Sequence, residues 1–297
     1  MGNKMKEVAI IFGASRGIGA AMAFKFAREG YAVVVSSKTE VEKENVRNTL
    51  RGGTIHSVVQ LIKEKGGKAI PMKCDVRNEQ DISRVFEETQ KHLPDHKVTA
   101  VIYNSGAITW GPVHETPLKK YDLLHSINAR GCYIAVQHWL RINNPSRFIV
   151  LSAPIYSRFF RGKVPYAMSK VAMTVLLQGL ALEIPEDKVI CGLWPATAIE
   201  SAATEALAGI GRELMRSPDI MADAAWLMTR DRKREGLNGV AWIEEDYLRE
   251  RWGIQEFSSY RCVRDKEPPR MLPKKFPSLR VEEEDEELFP IDTQSKL

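Results

Sequence analysis

A chain of 297 residues, 44% of them hydrophobic, holds enough apolar material for a sizeable core and needs no covalent staple. Its four cysteines, Cys74, Cys132, Cys191 and Cys262, lie far apart without a CxxC pair, which argues against a disulfide framework, and no metal site is expected. The net charge of +5 comes from both signs spread along the chain, with no basic run interleaved with aromatics and no apolar run of about 18 residues, so nucleic-acid binding and a membrane span are excluded as readings.

In chain order, EVAIIF reads as a strand, GIGAAMAFKFAREG as a helix and YAVVVSS as a second strand. Apolar runs alternating with helical segments mark βαβ units and a parallel sheet covered on both faces. A charged insertion from Lys38 to Gly53 interrupts the rhythm, and TIHSVVQLIKEKGG restores a helix closed by glycines. Further strands are expected at KAIPMKC, TAVIYN, RFIVLS, KVICGLW and GVAWI. Helices are expected at SRVFEETQKHL, from Leu118 to about Arg141, and from Tyr166 to Ile184. The last of these is apolar nearly all round, which demands burial on more than one side. Trp139 is expected in core or interface. The pattern predicts an α/β fold: a doubly wound parallel sheet in three αβα layers, the Rossmann arrangement, as one domain over residues 1–245. Residues 246–275 are expected to pack on it as an extension, and 276–297 to form a flexible acidic tail.

The first strand-to-helix turn, GASRGIG, carries Gly13, Gly17 and Gly19. Glycines there let the backbone approach a dinucleotide pyrophosphate, which the free N–H groups of the helix N-terminus attract. The end of the second strand offers Ser36, Ser37 and Lys38 but no acid for a ribose 2′-hydroxyl, and Arg16 sits in the glycine loop. Cations at that place suit a 2′-phosphate, so the cofactor expected is NADP(H). Further on, LSAPIYSRFFRGKVPYAMSK ends in Tyr166 and Lys170, neighbours on one helix face. As hydride reaches a carbonyl carbon, charge grows on its oxygen and an acid must stand within hydrogen-bond reach. A nearby ammonium, together with the cationic nicotinamide ring of an oxidised complex, lowers the pKa of a phenol, ordinarily ~10, toward that task.

With Asp75 after the third strand, YNSGA at Tyr103–Ala107 and SIN ending at Asn128, these motifs resemble in their order the short-chain dehydrogenase/reductase family over residues 10–200. The resemblance implies an NADP(H)-dependent oxidoreductase acting on a carbonyl or alcohol, usually as a homo-oligomer. It places Gly13, Ala14, Ser15, Arg16, Gly17, Ile18 and Gly19 at the cofactor. Ser37, Lys38, Asp75, Val76, Asn104, Ser105 and Gly106 join them, with Tyr166, Lys170, Pro195, Thr197 and Ile199 at the nicotinamide end. Tyr166 is then the general acid/base, Lys170 lowers its pKa and holds the nicotinamide ribose, and Asn128 holds a water linking Lys170 to solvent. The insertion closed by GGTIHS, the segment GGKAIPMKCDVR, the loop LWPATAIESAA and IEEDYLRERWGIQEFSSY resemble the hydroxysteroid dehydrogenase-like subgroup. Those peroxisomal relatives carry in animals a sterol-carrier domain, which is not expected here. The final Ser295–Leu297, SKL, reads as a peroxisomal address for an import receptor, left reachable by the acidic stretch before it.

The serine departs from the family pattern. The strand before the active-site loop usually ends in paired hydroxyl residues, the second steadying the substrate oxygen, whereas LSAP has Ser152 and then Ala153. Three readings stand open: Ser152 takes over through a loop shifted by Pro154, Ser157 swings in, or Tyr166 works alone. Ser169 is expected to face the surroundings of its helix, in a packing or solvent role. The pocket is expected to draw on Ile108, Trp110, Ile155, Phe159, Phe160, Trp194 and Ile199, which suit a hydrophobic, fatty-acyl or steroid-like substrate. Arg158 and Arg161 either meet an acidic or CoA-linked group at its mouth or lie in solvent. The rival to an enzyme is an NADP(H)-binding sensor or scaffold with little turnover.

Overall fold

EVAIIF forms β1 (Glu7–Phe12) at the middle of the sheet because both of its faces are apolar: Ala9 and Ile11 point into one core layer, Val8, Ile10 and Phe12 into the other. Residues 6–40, 53–205 and 210–277 are described by a computed structural model, the side chains of Ser157 and Glu205 excepted. Most of the charged insertion and the acidic tail with Ser295–Leu297 therefore lie outside the described residues, as does the Ser157 hydroxyl proposed as a helper.

The remaining strands are β2 (Ala32–Ser37), β3 (Lys68–Lys73), β4 (Lys97–Tyr103), β5 (Ser146–Val150), β6 (Lys188–Trp194), the short β7 (Ala198–Ile199) and β8 (Met215–Arg216), and β9 (Ala241–Ile243). Seven of them make one parallel sheet in the order β3-β2-β1-β4-β5-β6-β9. Pro71 lies in β3, at the sheet edge, where its missing N–H breaks no inner ladder. On one face pack α1 (Gly17–Arg28), α2 (Ile55–Glu64), α8 (Asp219–Arg230) and α9 (Glu244–Trp252), with Met22, Phe26, Val58 and Met228 in the core. On the other lie α3 (Glu79–His92), α5 (Gly131–Leu140) and α6 (Val164–Leu180), with Val85, Trp139 and Leu177, and a short α7 (Ala202–Glu205) follows β7. The doubly wound three-layer domain expected from the alternation is present. No helix among the described residues is long and apolar enough to cross a membrane.

Two helices differ from their expected spans. The segment from Leu118 is α4 (Leu118–Leu124), then a π-helical turn at His125–Arg130, then α5. The Tyr103 hydroxyl donates to Ile127 O at 2.6 Å, and a Cβ on Gly131 would stand 2.4 Å from that same hydroxyl oxygen. A buried tyrosine of the sheet thus grips the widened turn from beneath. The helix around Tyr166 begins earlier, with Pro165 in its first turn, and ends at Leu180 ahead of Pro185. The chain order reverses beside β1, between β2 and β4, and the crevice at the C-terminal ends of these strands is where such sheets place ligands.

After α9 the extension folds back onto the domain. The fully packed Arg216 donates to Glu245 at 2.9 Å and to Glu267 at 2.6 Å, Arg270 pairs with Asp246, and Met271 N–H reaches Ala196 O at 2.8 Å.

Candidate active site

The crevice is built first from glycines. Gly13 follows β1 at φ 81°, a conformation other residues rarely adopt, and its amide and that of Ala14 donate to Ser36 O at 2.7 and 3.0 Å. At Gly19 the constraint is space: a Cβ would lie 2.2 Å from Gly13 O and 2.6 Å from the Asn104 amide nitrogen, which itself donates to Gly13 O. Gly19→Ala must push α1 off this loop and is expected to weaken dinucleotide binding by ~10-fold or more, read by calorimetric titration. Unchanged affinity would mean the loop absorbs the extra carbon.

Around this loop lies a cavity of about 470 Å³, and Gly13, Ser15, Arg16, Gly17, Ile18, Ser37, Lys38, Asp75, Val76, Asn104, Ser105 and Gly106 all line it. Ala14 and Gly19 are buried behind the wall and act through backbone and space. Arg16 donates to Thr39 Oγ1 at 2.8 Å, which carries its guanidinium toward the end of β2. Asp75 receives the Arg77 guanidinium and backbone amide, and that guanidinium holds its carboxyl below the ordinary range. Thr39, Cys74, Ile127 and Ser201–Ala203 also line the cavity without having been picked out in the sequence. Cys74, Ile127 and Ser201–Ala203 lie inside the segments GGKAIPMKCDVR, SIN and LWPATAIESAA, but only the fold shows which of their residues reach the wall.

A second cavity of about 410 Å³ holds Tyr166, Lys170, Pro195, Thr197 and Ile199. It shares Ile18, Asn104, Gly106, Ser201 and Ala203 with the first, so the two are arms of one cleft. Tyr166 is 6% exposed, against Ala153, Leu124 and Phe159, and burial pushes its phenol well above the ordinary value. Lys170 donates to Leu151 O at 2.8 Å, and burial draws its ammonium down to about 8. The protein's own charges therefore do not lower the phenol as expected of Lys170. Burial is the cause of the rise, and it favours the protonated phenol.

Asn128 is fully buried in the π turn. Its Oδ1 accepts from Ala107 N at 2.8 Å, and its Nδ2 donates to Ala107 O at 3.0 Å and Ser169 Oγ at 2.9 Å. These three bonds make the side chain a brace between the loop after β4 and α6. Ser169 is part of that brace and not a solvent-facing residue: its hydroxyl, 0% exposed, donates to Tyr166 O at 2.7 Å.

Ser152 does not join the site. Leu151 lines the second arm and Ala153 packs on Tyr166, whereas Ser152 is on the wall of neither arm. Its Oγ is enclosed, with no hydrogen-bond partner among the described residues. Of the expected pocket residues, Ile108, Trp110, Arg158, Phe159, Trp194 and Ile199 line the arm. Ile155, Phe160 and Arg161 are not on its wall, Phe160 packing instead edge-on to Phe159. Tyr156, Lys163, Ile210, Met271 and Leu272 line it unforeseen. Met271 and Leu272 arrive through the bond to Ala196 O, which no local signal announces.

Comparison with known proteins agrees with this geometry. Hydroxysteroid dehydrogenase-like protein 2 of Bos taurus is 35% identical over 84% of this chain, which spans 59% of that relative's length. A crystal structure from Xanthomonas campestris superposes with a TM-score of 0.80 at 29% identity, covering 91% of this chain and 98% of its own. A short chain dehydrogenase of Mycobacterium thermoresistibile superposes at 0.76 with 30% identity, over 89% and 93%. Residues 7–209 match the short chain dehydrogenase family profile, and the chain, with its glycine loop and buried Tyr166/Lys170 pair on one cleft, belongs to that family.

Proposed function

We propose that this protein is an NADP(H)-dependent oxidoreductase that interconverts a carbonyl and an alcohol on a hydrophobic substrate. The observation that carries the reading is the single cleft with a dinucleotide-shaped arm and, joined to it, an apolar arm holding the protonated Tyr166. A nicotinamide dinucleotide supplies or accepts the hydride when bound. The Gly13–Gly19 loop would hold its pyrophosphate, Arg16 and Lys38 a 2′-phosphate, and Lys170 the nicotinamide ribose. Tyr166 gives its proton to the substrate oxygen during reduction and takes it back during oxidation. Phe159, Trp194 and Leu272 keep water from that oxygen and strengthen the hydrogen bond.

The choice of NADP(H) rests on Ser37, Lys38 and Arg16 at the end of β2, where no carboxylate is offered to a 2′-hydroxyl. Lys38→Asp is expected to move the kcat/KM preference toward NADH by ~10-fold or more, since a charge-assisted contact is lost and a repulsion added. A lower KM for NADH than for NADPH in the unaltered protein would overturn the assignment. We further propose residence in peroxisomes through Ser295–Leu297 and assembly as a homo-oligomer.

A second reading, a dinucleotide-binding sensor with little turnover, is favoured by one observation: neither Ser152 nor Ala153 presents a hydroxyl beside Tyr166. NADPH consumption over a panel of ketones, aldehydes and 3-oxoacyl thioesters separates the two. Tight NADPH binding without consumption of any member would favour the sensor.

A further inference from the structure

From the charges on the apolar arm we infer that the substrate is an amphipathic anion, an apolar oxo compound bearing a carboxylate or phosphate, held by Lys163 and Arg158; this rests on the oxidoreductase reading above. The arm is lined by three cations, Arg158, Lys163 and Lys170, and by no acidic side chain among the described residues. Lys170 is engaged with Leu151 O. Arg158 and Lys163 have no ion-pair or side-chain hydrogen-bond partner among the described residues.

That contrasts with three of the protein's packed arginines. Arg216 is matched by Glu245 and Glu267, Arg230 by Glu7 and Arg251 by Asp231. Partly buried charge is costly unless compensated, so the half-buried, unmatched Lys163 marks where a ligand's opposite charge belongs, with the exposed Arg158 beside it on the same arm. Lys163 is held in place: its Nζ lies 4.8 Å from the Phe159 ring and 5.3 Å from the Trp110 ring, both on the same wall. The Gly111 amide donates to Gly162 O at 3.1 Å, tying the Trp110 loop to the residue before Lys163. Burial also draws the Lys163 ammonium below its ordinary value, as it does where no anion answers the charge. Arg158, the more exposed of the two, stands at the rim. An inorganic anion alone would leave the aromatic wall uncovered, whereas an acid with an apolar body satisfies both.

The test compares a medium-chain oxo-carboxylate with its methyl ester and with the matching phosphate-bearing acyl thioester, in the unaltered protein, Lys163→Met and Arg158→Gln. The acid is expected to exceed the ester in kcat/KM by ~10-fold or more, chiefly through KM, and that ratio to fall toward one in Lys163→Met. The thioester outranking the oxo-carboxylate assigns the anion to a phosphate headgroup, and the reverse assigns it to a carboxylate. Equal use of acid and ester, or a ratio unmoved by both substitutions, overturns the proposal. If nothing is turned over, calorimetry of the same acid and ester with NADP⁺ present decides. Charge-dependent binding lost in Lys163→Met keeps the anion site while the oxidoreductase reading falls, and binding indifferent to charge removes the anion site.

Discussion

Tyr166→Phe is expected to lower kcat by ~10²–10⁴ while leaving NADPH affinity within a few-fold of the unaltered protein. The substitution removes one oxygen from a ring packed among Ala153, Phe159 and Leu124, so the wall it forms stays filled. It also removes, on the wall of the apolar arm, a hydroxyl whose proton is held by burial. Ser152 and Ser169, the nearby serines whose side chains are described, are both otherwise placed. Ser152 Oγ is enclosed, with no hydrogen-bond partner among the described residues, and Ser169 donates to Tyr166 O and receives Asn128 Nδ2. Lys170 is committed to Leu151 O and lies beneath Trp194, its Nζ 5.6 Å from that ring. Steady-state rates of NADPH oxidation with a reactive ketone, together with fluorescence titration of NADPH, give both halves of the expectation. Full turnover in the phenylalanine variant would show that the proton comes from elsewhere, and a matching loss of NADPH affinity would reveal a binding residue instead.

What could be read from the sequence divides along physical lines. The glycine loop, the strands and their parallel pairing were legible because each rests on local signals, a steric need at Gly13 or a period of apolar residues in EVAIIF. Asn128 was legible as a site residue, but its work was not, because its partners Ala107 and Ser169 come from a loop and a helix that meet only in the fold. The π turn was hidden for a like reason, since Tyr103 and Gly131 set it from across the layer boundary. Ser152 was legible as the hydroxyl that LSAP offers, but its enclosure was not, because the groups that cover it come together only in the fold. Lys163 went unnoticed because a lone lysine before a helix is ordinarily a solvated charge, and only its two ring neighbours distinguish it.

Glu244→Gln is expected to stabilise the fold by several kcal/mol at mildly alkaline pH and by almost nothing in acid, at ~1.4 kcal/mol for each unit of pKa shift removed. Glu244 begins α9 with 0% exposure. Its Oε2 accepts the Ala196 amide at 2.6 Å, while Oε1 has no hydrogen-bond partner among the described residues. Burial, and then the charge of Glu245 next to it, push the carboxyl up from 4.5 to about 8. Glu245 is matched by Arg216 at 2.9 Å and Arg249 at 3.0 Å, so those cations are turned to it. In the unfolded chain Glu244 loses its proton near 4.5, whereas the folded protein keeps it to about 8. Across that window the native state binds the additional proton, so stability declines as pH rises and the full penalty remains above it. Glutamine keeps an acceptor for the Ala196 amide and cannot ionise, so it should erase the decline. Urea unfolding at several pH values checks this, and parallel curves for the two proteins would mean that Glu244 is already charged in the native state. The consequence reaches the cleft. Ala196 lies between the wall residues Pro195 and Thr197, and its carbonyl accepts Met271 N–H, so one neutral carboxyl anchors both the loop and the returning extension. Glu244→Ala, which leaves the buried Ala196 amide without a partner, is therefore expected to raise KM for the hydrophobic substrate where glutamine does not.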